Sequence, residues 1–190
     1  MIDILGSMII GGLFLLILLR FNENTAQNSY SYNGEVIVQE NLVSAIETLE
    51  YDLRKIGYCE DPYNLPKPSK AILYADSSKI KYLSDTGLSG KLDTVMYCLT
   101  SGARPGVTPN SNVSILCRSV NGETQSMNPG VTQFRLKYFD AMGIELTPPL
   151  TAPTKIVYMQ IDVKVESIAA YDNVRKSAFW RQIKLTSRNI

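Results

Sequence analysis

"NLVSAIETLEYDLRKIGY", residues 41–58, carries apolar side chains at Leu42, Ile46, Leu49, Leu53 and Ile56. Their steps of four, three, four and three put all five on one stripe of an α-helix. Glu50 precedes Arg54 by four residues, a favourable helical pair, and Gly57 supplies a stop. The stripe is narrow, and it is too short for a free two-stranded coiled coil. It predicts a helix laid on a sheet of its own chain, with those five residues as the helix-to-sheet contacts.

Beyond that helix the apolar period changes from helical to two. After the turn-rich "CEDPYNLPKPSK" (59–70), "VYMQIDVKVES" (157–167) alternates strictly. Val157, Met159, Ile161, Val163 and Val165 share one face, and Tyr158, Gln160, Asp162, Lys164 and Glu166 the other. "QFRLKYFD" (133–140) sets Phe134, Leu136 and Tyr138 on one side. "AILYA", "KIKYL", "DTVMYCLT" and "VSILCRSV" are shorter strand-like runs. The pairs Ser77-Ser78 and Asn121-Gly122 and the stretch "DAMG" (140–143) read as hairpin turns between them. "SGARPGVTPNSN" (101–112) reads as a loop. The basic end, Arg175, Lys176, Arg181, Lys184 and Arg188, reads as the wet face of a last strand, with contact to an acidic partner as the alternative. The pattern predicts a mostly antiparallel sheet with one solvated face.

Before the helix lies "MIDILGSMIIGGLFLLILLRFN" (1–22), with no charge between Asp3 and Arg20. At ~1.5 Å per residue, Ile4 to Leu19 spans roughly 24 Å against ~30 Å of hydrocarbon. Snorkelling of Arg20 or local thinning of the bilayer absorbs the difference. The run is apolar on every side, which argues for a membrane anchor over a core helix. A cleaved secretory signal is the rival, opposed by Asp3 at the amino end and a poor cleavage box. Gly6, Ser7, Gly11 and Gly12 permit close helix–helix approach within lipid. With Asp3 and Phe14 they are the candidate assembly residues of this helix. Residues 22–35, rich in Asn, Ser and Tyr, read as a weak or locally unwound helical spacer. The predicted organisation is a transmembrane and assembly helix over 1–21, a polar spacer and amphipathic helix over 22–58, and an antiparallel β-rich domain over 59–190. The fold class is α+β.

Composition excludes several chemistries. The 190 residues contain no His, so Ser-His and Cys-His nucleophiles, His metal ligands and a His pH switch are ruled out. A net charge of +1 argues against a nucleic-acid partner. "SDTGLSGKLD" (84–93) resembles a damaged calcium loop, with Gly87 and Leu88 where oxygen ligands belong. Asp140 and Glu145 read as solvated turn acids. No metal, cofactor or enzymatic activity is expected. The three cysteines, Cys59, Cys98 and Cys117, form no CxxC pair. Cys98 and Cys117 lie in strand-like runs flanking the loop 101–112 and are expected to form a cross-strand disulfide. A pairing through Cys59, or a reduced buried pair, stands as the alternative.

The order of features carries a resemblance. An apolar helix runs into an amphipathic one ending "LEYDLRKIGYC" (49–59). Then follow "AILYADSSKIKYLSD" (71–85), "DTVMYCLTSG" (93–102), "ILCRSVNGE" (115–123), "GVTQFRLKYFDAMGIEL" (130–146) and "IVYMQIDVKVES" (156–167). Over roughly residues 36–167 this resembles type IV pilin-like proteins, in particular W-type minor pilins of type IV pilus assembly and J-type pseudopilins of type II secretion. Such proteins usually begin with a basic leader, a Gly cleavage site and a Glu at mature position five. Here position five is Leu5, and the expectation is that no such leader precedes the apolar run. The expectation is that Met1 is the processed first residue, or that insertion proceeds without that processing. In the resembled family an early acid neutralises the amino terminus of a neighbouring subunit, a role that would fall here to Asp3.

The resemblance implies a structural subunit of a type IV pilus-like or type II secretion-like filament. Its partners would be itself or sister pilin-like subunits, an inner-membrane assembly platform and the lipid bilayer. It would sit as a single-pass inner-membrane protein with a periplasmic domain, or in an extracellular filament after assembly. The alternative is a tethered periplasmic scaffold or binding domain of a larger envelope complex.

Overall fold

The computed structural model describes residues 2–100, 114–150, 153–167 and 175–186. The loop expected over 101–112 and the residue Arg188 lie outside the described residues, as does the side chain of Lys184. One helix, α1 (Ile2–Arg54), runs without a break for 53 residues, about 80 Å at ~1.5 Å per residue. The expected unwinding at 22–35 does not occur. Once the flanking segments are helical, each further residue adds a hydrogen bond without a new nucleation cost. The Thr25 hydroxyl also donates back to Phe21 O at 2.8 Å, inside the helical ladder.

The helix ends where its ladder shifts to three-residue bonds, Lys55 N to Asp52 O and Ile56 N to Leu53 O. Gly57, at φ 74, turns the chain, and its amide donates to Leu83 O in the sheet. A short helix, α2 (Pro68–Ala71), leads into the strands: β1 (Ile72–Ala75), β2 (Lys79–Ser84), β3 (Asp93–Thr100), β4 (Ser114–Val120), β5 (Glu123–Phe139), β6 (Glu145–Leu146), β7 (Tyr158–Glu166) and β8 (Ser177–Leu185). They form one 8-stranded antiparallel sheet in the order β1-β2-β3-β4-β5-β7-β8, with β6 beside β5. All three expected hairpin turns lie between strands. Asn121 (φ 52) and Gly122 (φ 94) both take the left-handed conformations that a tight two-residue hairpin demands.

β5 belongs to two halves of the sheet. Its first part pairs with β4 and its second with β7, and both ladders meet at Val131. Gly130 makes the bend at φ +106, where a Cβ would lie 2.9 Å from Glu166 O. Beyond the bend the edge of β5 left by β4 is met by the β1–β2 turn. There Leu136 N donates to Ser77 O at 2.7 Å, and the Tyr138 hydroxyl to Asp76 O at 2.8 Å.

The sheet's inner face is apolar: Ile80, Tyr82, Val95, Leu116, Leu136, Ile161 and Val163 are all fully buried. The helix covers that face from Val38 to Ile56. β7 alternates as its sequence predicts, Met159, Ile161, Val163 and Val165 inward. Asp162 is buried too, but on the other face, where Arg181 of the facing β8 grips it with two 2.8 Å bonds.

Candidate functional site: the helical stem and its seat

The first part of α1 makes no contact with the sheet. Ile4, Met8, Ile9, Leu13, Phe14, Leu15, Ile17, Leu18 and Phe21 are all more than half exposed. This is the one helix among the described residues that is long and apolar enough to cross a membrane. Successive residues advance by about 100°. Asp3, Ser7, Gly11 and Phe14 therefore share one face of the stem, while Gly6 and Gly12 fall on other sides. Ser7 satisfies its hydroxyl on Ile4 O at 2.9 Å and so presents no unpaired polar group. A Cβ at Gly6, Gly11 or Gly12 would meet nothing within 4 Å, so the small residues serve no contact inside the chain.

The seat follows the predicted stripe. Leu42, Leu49, Leu53 and Ile56 are buried, and Ile46 packs at the margin. Glu50 and Arg54 pair at 3.9 Å on the outside. The stripe is wider than the five predicted residues, with Val38 and Ala45 also buried.

A polar residue missed in the sequence lies in the middle of the seat. Asp52 is only 5 % exposed. Its Oδ2 accepts the Tyr97 hydroxyl at 2.6 Å and Arg118 Nε at 2.6 Å. Tyr97 and Arg118 are directly opposite on β3 and β4, so one carboxylate clamps the helix to two strands. Burial and the Asp52 charge push the Tyr97 phenol far above its usual range. The bond to Asp52 holds the Arg118 guanidinium charged. The sequence held a signal for this: Ala45, Leu49, Asp52 and Ile56 step by four, three and four, so the acid sits on the buried face. The Tyr82 hydroxyl, near this cluster, and the Ser84 hydroxyl are buried and have no hydrogen-bond partner among the described residues.

Cys98 and Cys117 are directly opposite in the β3–β4 ladder, as expected, but the thiols are free and the expected disulfide is absent. The ladder explains it. Asn121 N donates to Thr94 O, which makes Thr94 and Asn121 a hydrogen-bonded pair. Antiparallel pairs alternate in type, so Cys98 and Cys117 form a hydrogen-bonded pair as well. At such pairs the Cβ atoms stand about 5.5 Å apart, and a disulfide needs roughly 3.5–4.5 Å. Cys117 Sγ lies instead 3.3 Å from Thr100 Oγ1, and Cys59 is buried and free.

The calcium-like loop is self-satisfied. Burial would raise the Asp85 carboxyl, but the amides of Ser89, Glu60, Gly90 and Leu88 outweigh it and hold the group below the usual carboxylate range. Asp93 is held low chiefly by the Thr86 hydroxyl and also by Asn121. No cluster of three potential metal ligands occurs among the described residues. An open hollow of about 440 Å³ lies between Lys81, Met96 and Ser119.

No protein-family model matches this chain, and no curated protein matches it.

Proposed function

We propose that the chain is a structural subunit of a type IV pilus-like or type II secretion-like filament. The apolar half of α1 anchors it in a membrane before assembly and packs among neighbouring helices afterwards. The carrying observation is that α1 is one continuous helix whose first part is apolar on all sides while only Val38–Ile56 is seated on the sheet. Surface of this kind is equally well buried by lipid tails or by other apolar helices. The small residues on it let backbones approach. The ordered helix between stem and seat transmits the position of one to the other.

In this reading the protein is single-pass, its sheet domain is periplasmic or carried on an extracellular filament, and its partners are copies of itself or sister subunits and an assembly platform. The side of the membrane rests on the resemblance of the sheet motifs. The cysteines add nothing to it, since they are unpaired.

The test is negative-stain microscopy of the purified protein and of cells that express it. Filaments that vanish in Gly11→Leu and Gly12→Leu, with membrane insertion retained, support the proposal. Monomers under all conditions, with the chain recovered in a larger envelope complex, would favour a tethered scaffold domain instead.

A further inference from the structure

Two Asn-Gly pairs occur in the sequence, Asn33-Gly34 and Asn121-Gly122. Asparagine is thermolabile, and a glycine after it leaves the next amide nitrogen open, because no Cβ shields it. The fold gives the two pairs different surroundings. Asn33 and Gly34 lie inside α1, where the regular helix holds the backbone. Asn121 and Gly122 form the exposed β4–β5 turn, and a Cβ at Gly122 would meet nothing within 4 Å. Water therefore reaches the Gly122 amide.

The Asn121 side chain is bound at both ends to the start of β3. Its Oδ1 accepts Thr94 N at 2.8 Å, and its Nδ2 donates to Asp93 Oδ1 at 2.7 Å. A backbone amide only donates and a carboxylate only accepts, so these partners fix which end of the side chain is which. The Asn121 main chain adds a third bond, from its amide to Thr94 O at 2.9 Å. Asp93 is itself held in place, since its Oδ2 accepts the Thr86 hydroxyl at 2.5 Å and the Thr86 amide at 3.2 Å.

We propose that Asn121 is a site of spontaneous deamidation, held in check in the folded chain by Asp93 and Thr94. In the reaction the Gly122 amide nitrogen gives up its proton to water and attacks Asn121 Cγ. A bond forms between Gly122 N and Asn121 Cγ, the Cγ–Nδ2 bond breaks, and Nδ2 takes a proton from water and leaves as ammonia. A second water opens the succinimide: its hydroxyl adds to one ring carbonyl carbon, its proton goes to the ring nitrogen, and the product is Asp or isoaspartate. Nothing is oxidised or reduced, and water is the one co-reactant. Closing the five-membered ring needs the side chain and the Asn121–Gly122 peptide to rotate together, and that rotation breaks both side-chain bonds to β3. The fold therefore slows the first step. Once formed, the product works against the turn. At an Asp an acceptor replaces the donor that faced Asp93 Oδ1, and two carboxylates stand at hydrogen-bond distance. An isoaspartate adds a methylene to the main chain of a two-residue turn. Either product releases the start of β3 from the β4–β5 hairpin, so the modification records the time this turn has spent open. The inference is independent of the filament reading.

The test incubates the full chain in detergent at mildly alkaline pH and counts Asp and isoaspartate at residues 33 and 121 by peptide mass mapping. Residue 121 of the folded parent should convert slowly, and in denaturant roughly tenfold faster, the order expected from loss of one hydrogen bond to a charged group. Asp93→Ala should raise conversion at 121 by a similar factor and leave Asn33, inside α1, at the parental rate. A rise at both positions would mean that the variant unfolds, and the folded-to-denatured ratio of the parent then decides. Asn121→Asp, the product made by substitution, should melt below the parent at pH 7. That gap should narrow as pH falls through the carboxylate range, because repulsion raises the folded pKa of the pair and protonation relieves it. A folded parent that converts at 121 as fast as in denaturant, or a folded Asp93→Ala with the parental rate there, overturns the proposal. An Asn121→Asp chain as stable as the parent overturns the consequence drawn for the turn.

Discussion

The Tyr97 hydroxyl lies 2.6 Å from Asp52 Oδ2, and this bond joins the helix to the middle of the sheet through a carboxylate that also holds Arg118. Tyr97→Phe removes a hydrogen bond to a charged group and should cost about 2 kcal/mol. Asp52→Ala should cost roughly 3 kcal/mol, at the low end for breaking a buried pair, because Arg118 keeps some access to water. Tyr82→Phe should be neutral or stabilising, since its buried hydroxyl has no partner among the described residues. Urea unfolding of the three variants checks the order. A Tyr82→Phe cost equal to that of Tyr97→Phe would show that Tyr82 belongs to the clamp.

Gly130→Ala places a Cβ 2.9 Å from Glu166 O at a φ of +106. Glu166 O is backbone and does not yield cheaply, and Val165 Cγ1 stands 3.3 Å from the same position. The substitution should destabilise by about 2–3 kcal/mol, and amide exchange should rise in both β4–β5 and β5–β7, which share this bend. Gly122→Ala sets no atom within 4 Å of its Cβ and should show only the backbone strain of its own turn.

The bonds from Arg181 hold the Asp162 carboxyl below its ordinary range. A carboxylate whose folded pKa is depressed stabilises the protein above its unfolded pKa of ~3.9 and loses that contribution as pH falls through the folded value. Melting temperature should therefore fall as pH drops below about 4. Asp162→Asn should flatten that limb while lowering stability at pH 7. A parental acid limb in the variant would assign the dependence to Asp85 and Asp93, which are depressed as well.

Unfolded in denaturant without reductant, the protein should release three titratable thiols, since Cys59, Cys98 and Cys117 are all free. A count of one would mean that the β3–β4 ladder yields enough to join Cys98 and Cys117.

Local pattern made much of this molecule legible. The stripe Leu42–Ile56, the alternation at 157–165 and the turns at Ser77-Ser78, Asn121-Gly122 and 140–143 are set by neighbours a few residues apart, and a period or a turn residue records such interactions directly. The uninterrupted apolar run 4–19 likewise needs no partner to be recognised. What failed or was missed depends on residues far apart in sequence. Asp52 reads as one more polar helix residue until Tyr97 and Arg118, 45 and 66 residues away, are brought under it by the sheet. The strand-like runs at 93–100 and 114–120 placed Cys98 and Cys117 as neighbours. Only the phase of the hydrogen-bond ladder, set by the pairing of Thr94 with Asn121, decided that they face each other too widely to join. The spacer at 22–35 reads as weak because its own propensity is poor, yet it is helical because it continues a helix on both sides. The chain's local chemistry thus determined which segments are helix, strand and stem. The tertiary structure decided which groups meet, because contact between distant residues depends on register and packing that no single segment encodes.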